Sequence, residues 1–339
     1  MFTALFGSVE SGLIYAIMAL GVYLSFRILD FPDLTVDGSF VTGAAVAAVM
    51  IVSGFNPFLA TGTAFVAGFL AGSITGLLHT KGKINALLSG ILMMIALYSI
   101  NLRIMDKPNV PLHGQETVFT IMGAMWEKTG IDQGINGFFA NIGMSWVAPS
   151  TWLVLFVMFL FIILLKGILD YFLKTEVGLA IRAVGDNHQM ITSFSGNTDT
   201  LKIAGLGLSN ALVSLSGAFV AQTGGYADVG MGIGMIIIGL ASVIIGEAIL
   251  GIKTIFRATL AVILGAIIYR VIVALSLRVD FLETGDMKLI TAIIVIAALI
   301  IPQLYEKQKE KRRKKLRLQE KITTMKERGD QVVRAQSDL

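Results

Sequence analysis

Residues 12–52 read GLIYAIMALGVYLSFRILDFPDLTVDGSFVTGAAVAAVMIV, and this stretch decides the fold class. Two apolar runs flank the short polar break Leu29-Asp30-Phe31-Pro32-Asp33-Leu34-Thr35-Val36-Asp37-Gly38-Ser39. Each run is close to the roughly 20 apolar residues that cross a hydrocarbon core. Pro32 supplies no backbone N–H and pushes the residue before it toward extended geometry, so helix stops here. The chain therefore reads as helix, break, helix within a membrane.

The rest of the sequence repeats the pattern. Hydrophobic residues make up 55% of the 339 positions and charged ones only 15%, against roughly 25% in a soluble domain. Apolar segments place nine membrane helices at 9–29, 38–54, 57–79, 84–101, 148–167, 201–221, 231–250, 255–276 and 287–302. The fold class is all-α: a polytopic membrane protein with a permease domain over 1–305 and a basic tail over 306–339. The tail holds 12 Lys and Arg against 6 Asp and Glu, whereas residues 1–305 hold 15 against 17, so the basic balance belongs to the tail. A solvated anchor beside anionic lipid accounts for it. No basic stripe interleaved with aromatics runs through the body, which argues against nucleic acid. Cysteine is absent and the three histidines are isolated, so no thiolate, disulfide or metal-ligand pattern is present.

Orientation follows from the short connections. Lys81, Lys83, Lys166, Lys174, Arg182, Lys202, Lys253 and the tail fall on one side, read as the cytoplasm, with the N-terminus outside. MFTALFGSVE lacks a basic leader, so the first run reads as a retained span. The 102–147 connection reads as an external loop without a tenth span. The 168–200 connection reads as a cytoplasmic loop.

A second break, Gly224-Gly225-Tyr226-Ala227-Asp228-Val229-Gly230, interrupts the other half in the opposite sense. Paired breaks of opposite sense point to an inverted repeat around a solute path. That makes Asp33, Thr35, Asp37, Ser39, Tyr226 and Asp228 path candidates. The acids equally suit first-turn positions of helices, where the dipole favours them, and both readings stay open. Gly205, Ser209, Ser216 and Gly217 suit close helix contacts in lipid. Within 168–200, Ile181, Met190, Ile191 and Phe194 have the spacing of a short amphipathic helix that needs a partner surface.

The segment GLAIRAVGDNHQMITSFSGNTDTLKIAGLGLSNALVSLSGAFVAQ, residues 178–222, resembles the cytoplasmic coupling region of permease subunits of the branched-chain amino acid/ribose class of ABC importers. The first break is similar to that class's helix–break–helix, although Pro32-Asp33-Leu34-Thr35-Val36-Asp37-Gly38 replaces the pattern of sugar permeases. DLTVDGSF together with ASVIIGEAI looks most like the tryptophan/tyrosine uptake subgroup. The resemblance implies that Arg182, Gly185, Asp186, Asn187, Met190, Ile191, Phe194 and Gly196 couple the chain to a separate ATPase dimer, with the coupling helix within 186–196. It further implies an extracytoplasmic binding protein, a second permease subunit (a homodimer by default, a heterodimer in some systems), and ATP and Mg on the partner ATPase. It implies no cofactor and no catalytic residue in this chain.

Gly246-Glu-Ala-Ile-Leu-Gly251-Ile252-Lys253-Thr254 approaches a phosphate loop, but Ile252 breaks the required spacing. An ion-gradient transporter is the competing reading. It explains the breaks but leaves the internal loop without a role. A membrane enzyme lacks any acid–base or ligand cluster.

Overall fold

The computed structural model describes residues 2–141, 149, 151–187, 197–276 and isolated positions between 289 and 300. The ninth predicted span and the tail fall wholly or mainly outside the described residues. Helix α1 covers Phe2–Tyr23 and continues as a π-helical turn, Leu24–Ile28. There follow α2 (Thr35–Val52), α3 (Pro57–Thr80), α4 (Ala86–Met105), β1 (Asn109–Pro111), α5 (Val118–Glu127) and α6 (Ile131–Asn141). Beyond them lie α7 (Leu153–Phe172), α8 (Glu176–Asp186), α9 (Thr198–Gly224), β2 (Tyr226–Asp228), α10 (Met235–Leu250) and α11 (Ile255–Ser276). Among the described residues, seven spans are long and apolar enough to cross a membrane, and α10 is a shorter apolar helix of 16 residues.

Helix starts follow local chemistry. Asn56 and Asn85 accept hydrogen bonds from the Phe58 and Leu87 amides, and Pro57 occupies the first turn of α3, where a missing N–H costs nothing. Asn197 likewise accepts from Thr200 at the head of α9.

Lipid has no hydrophobic preference for one apolar helix over another, so small residues and hydrogen bonds decide what sits in the centre. Helix α9 is the hub, 78% buried along its apolar window, against 28% for α4 and 33% for α7. Its hydroxyls donate to the backbones of its neighbours: Ser209 Oγ to Gly21 O at 2.7 Å, Ser214 Oγ to Ala64 O at 2.7 Å and Ser216 Oγ to Ile14 O at 2.8 Å. The approach of α2 is closest at Gly43, where a Cβ would stand 1.8 Å from Ser214 O. Around this hub, α3, α4 and α7 turn Leu70, Ile95, Leu164 and similar side chains outward, as helices facing acyl chains do.

One end of the bundle is basic. Lys202 Nζ reaches His79 Nε2 there, and Arg27, Arg182 and Lys253 line a shared cavity. The opposite end carries a two-stranded antiparallel ribbon, with Asn109 opposite Asp228 and Pro111 opposite Tyr226. An all-α reading misses this ribbon, because its strands are three residues each and more than a hundred positions apart. The 102–147 connection contains α5 and α6, both too short to cross a bilayer. They hold to α7 through Asp132, whose Oδ1 accepts from the Trp126 indole (2.9 Å) and the Trp152 amide (3.0 Å). Burial opposes ionisation of Asp132, but these donors and the Thr151 hydroxyl outweigh it and hold the carboxyl below its usual range.

One charged residue is misplaced by hydropathy. Lys166 does not sit in a connection, because α7 runs on to Phe172 and buries the side chain beside the start of α11. Its ammonium pairs with Asp170, one turn along, and lies 3.6 Å from the centre of the Phe256 ring. Thr259 on α11 donates to Asp170 Oδ1 at 2.7 Å. A lysine and an aspartate one turn apart satisfy each other inside the protein, which is how buried charge is tolerated in a membrane-spanning helix.

If the α2–α9 contact holds the bundle, Gly43→Val forces those helices apart and removes the monodisperse folded species in size-exclusion chromatography. Ser209→Ala, which removes only a hydrogen bond, lowers stability by about 1 kcal/mol in thermal unfolding. A normal profile for Gly43→Val contradicts the packing described.

Candidate functional site

The two breaks enter the bundle from opposite ends and meet at depth. The first leaves the π-helical turn at the basic end. Asp30 takes a positive φ of 50°, the Phe31 amide bonds back to Ser25 O, and residues 29–34 climb into the protein. Helix α2 then begins well inside. The Thr35 hydroxyl meets that of Thr75 at 2.8 Å, about 7 Å short of the end of α3 by helix rise.

Asp33 is fully buried here and accepts two hydrogen bonds. Its Oδ1 caps the Thr35 amide at 2.9 Å, and its Oδ2 accepts from Asn210 Nδ2 at 2.6 Å. Asn210 also donates to Leu206 O at 3.0 Å and accepts from Ser39 Oγ at 2.7 Å, so its amide is fully used. Asp33, Thr35 and Ser39 thus form one buried network with Asn210 and Thr75. Asn210 carries no sequence signal of its own, since it sits in a run of small residues that reads as packing.

Asp37 belongs to the first turn of α2 but serves another helix. Its Oδ2 accepts from Gly234 N at 2.9 Å and its Oδ1 from Ile236 N at 2.8 Å, satisfying the opening amides of α10. Gly232 lies directly against the Asp37 carbonyl, where a Cβ would come within 2.1 Å. The start of α2 and the start of α10 therefore abut inside the bundle, in opposite directions.

Asp228 is a different case. It does not open a helix: it sits in β2, with Oδ1 accepting from Gly230 N at 2.7 Å and Oδ2 near Asn109 Nδ2 at 3.5 Å. Tyr226, on the same strand, is exposed. The ribbon holds these two away from Asp33, Thr35 and Ser39.

At the basic end, α8 starts with Thr175 capping Gly178 and packs its Ile181 and Val184 inward. Gly185 lies on the last residue of the π-helical turn, where a Cβ would stand 2.0 Å from Ile28 O. Arg182 and Asp186 line a cavity of about 300 Å³ with Tyr23, Arg27, Glu247 and Lys253. Across it, Arg27 donates from Nε and Nη2 to the two Glu247 oxygens at 2.7 and 2.8 Å, a fork that ties the π-helical turn to the last turn of α10. Neither partner is marked by sequence spacing. Asn187 ends α8, while Met190, Ile191, Phe194 and Gly196 lie outside the described residues. No cluster of His, Asp and Glu that could hold a metal ion occurs among the described residues.

The capping geometry makes unequal demands on the two acids. Asp37→Ala leaves the α10 amides open and is expected to cost about 1–2 kcal/mol in thermal unfolding, whereas Asp228→Ala costs less than about 0.5 kcal/mol. Equal effects contradict the assignment of Asp37 as the cap of α10.

Residues 4–301 match the model of the permease component of branched-chain amino acid transport systems. The tyrosine transport system permease protein of Clostridioides difficile (strain R20291) is 41% identical over 287 residues, covering 85% of this chain and 87% of that protein. An uncharacterised protein of Rickettsia prowazekii (strain Madrid E), RP368, is 34% identical over 207 residues, covering 61% of this chain and 64% of its own. Among solved structures, an ABC transporter in an inward-facing conformation aligns over 90% of this chain and 85% of its own at 14% identity, with a TM-score of 0.46.

Proposed function

The chain belongs to the permease family of branched-chain amino acid transport systems, and from that premise we propose that it forms the membrane path of an ATP-driven importer of an aromatic amino acid, tyrosine or a close relative. The tyrosine permease relative supports the substrate class. In this reading two permease subunits, a homodimer by default because closed symmetric pairs are the commonest assembly, enclose the path. A separate ATPase pair carries ATP and Mg, and an extracytoplasmic binding protein delivers the solute. The basic end faces the cytoplasm of a prokaryotic cell, the ribbon end faces out, and the tail over 306–339 rests on anionic lipid.

The observation that carries this reading is the seating of α8 on the π-helical turn. Here Gly185 rests on Ile28, directly before the break that leads to Asp33. A push on α8 is therefore delivered to the one place where α1 is already loosened from regular α-helix, as π turns at functional positions are. From there it reaches the start of α2 and, through Asp37, the start of α10. Alternation between packings needs such discrete, connected elements.

The test is uptake in proteoliposomes holding the full transporter, its ATPase and its binding protein. Tyrosine uptake is expected to require ATP and to continue with ion gradients collapsed. Arg182→Glu and Gly185→Leu are expected to cut uptake at least tenfold while the complex assembles and still hydrolyses ATP. Gradient-driven uptake by this chain alone contradicts the proposal, as does full uptake by both variants.

A further inference from the structure

Arg270 is a cation deep in the bundle, and none of the interactions above uses it. It lies on α11, and its guanidinium carbon sits 3.6 Å from the centre of the Tyr15 ring. Tyr15 is the midpoint of the continuous helix from Phe2 to Ile28, about 20 Å from either end by helix rise. On its own helix, Arg270 lies about 9 Å from Ser276, the last residue of α11, by the same rise. The contact is fixed by backbone packing, because Gly12, one turn from Tyr15, lies on Ile267, one turn from Arg270.

Two features separate Arg270 from the other deep cation. Lys166 has Asp170 as its counter-ion, but among the described residues no carboxylate lies within ion-pair distance of Arg270. Its Nε is buried and has no hydrogen-bond partner among the described residues. An aromatic face attracts a desolvated guanidinium, and an arginine within a membrane-spanning segment is costly unless it finds partners. The ring holds the group in position without neutralising it. The side chain as a whole is partly exposed.

The surroundings are those of the meeting point of the breaks. Tyr15 stacks on Phe40 of α2 with ring centres 6.0 Å apart. Both pack in one cluster with Ile236, Met231 and Met235, at the start of α10. A guanidinium presents parallel N–H donors that match a carboxylate two at a time.

We propose that Arg270 binds the α-carboxylate of the amino acid as it passes through the bundle, acting as a specificity residue of the path. This rests on the functional reading above. It places the carboxylate at Arg270 and leaves Asp33 and Asp37 to hold the backbone.

The test uses the same complete transporter in proteoliposomes. Arg270→Met keeps length and a polarizable contact with Tyr15 but removes charge, and Arg270→Lys keeps charge. The expected result is at least a tenfold loss of tyrosine uptake in Arg270→Met and partial retention in Arg270→Lys. Both variants should assemble with the ATPase and hydrolyse ATP at the wild-type basal rate. Wild-type uptake in Arg270→Met overturns the inference while leaving the importer reading intact. Loss of assembly in Arg270→Met alone overturns it in favour of a packing role. Mass spectrometry of the purified complex covers the lipid alternative: a tightly held anionic lipid lost in Arg270→Met also overturns it. If the wild-type complex takes up no amino acid, the functional reading fails first and this inference fails with it.

Discussion

A backbone that leaves regular helix inside a membrane must find partners for its amides within the protein, because lipid offers none. Two segments of this chain do so, at 29–34 and 225–234, and each is followed by a helix that starts at depth. Two aspartates meet the need. Asp33 closes the start of α2 and Asp37 closes the start of α10. Hydrogen bonds to an ionised acceptor are worth about 1.5–3 kcal/mol each, more than neutral ones, which suits groups with no water to fall back on.

The rest of the core is arranged around these starts. Helix α9 supplies Asn210 to Asp33 and hydroxyls to the carbonyls of α1 and α3, so the hub of the bundle is also the wall of the first break. Because Asp37 sits on α2 and caps α10, the two half-helices move as neighbours. At the basic end, the Arg27–Glu247 fork joins the other extremity of α10 to the π-helical turn. Helix α10 is thus held at both ends to the same break, once through each charge pair or cap.

Much of this was legible in the sequence. Hydropathy locates eight helices to within a few residues, and Pro32 with its flanking aspartates marks the first break. The density of Gly and Ser after position 200 identifies α9 as a close-packed helix, and Ser209 and Ser216 take the contacts expected of them. What escapes is long-range. Nothing near Asp37 reveals that its partners are Gly234 and Ile236, 197 and 199 positions away. Lys166 and Asp170 shorten the apparent apolar run because hydropathy scores each charge singly and cannot see the pair. Asp228 resembles a helix-start acid until the ribbon, too short to show alternation, claims it.

In the proposed mechanism, α8 and the π-helical turn form one mechanical body. The absence of cysteine lets label pairs be introduced without background. Spin-label distances measured by pulsed EPR in the assembled transporter, between Asp186→Cys and Asp30→Cys and between Asp186→Cys and Lys81→Cys, address it directly. Nucleotide binding is expected to leave the first distance unchanged and to shift the second. A first distance that changes by several ångström while the second stays fixed would show α8 sliding over the turn, and the claim would be wrong.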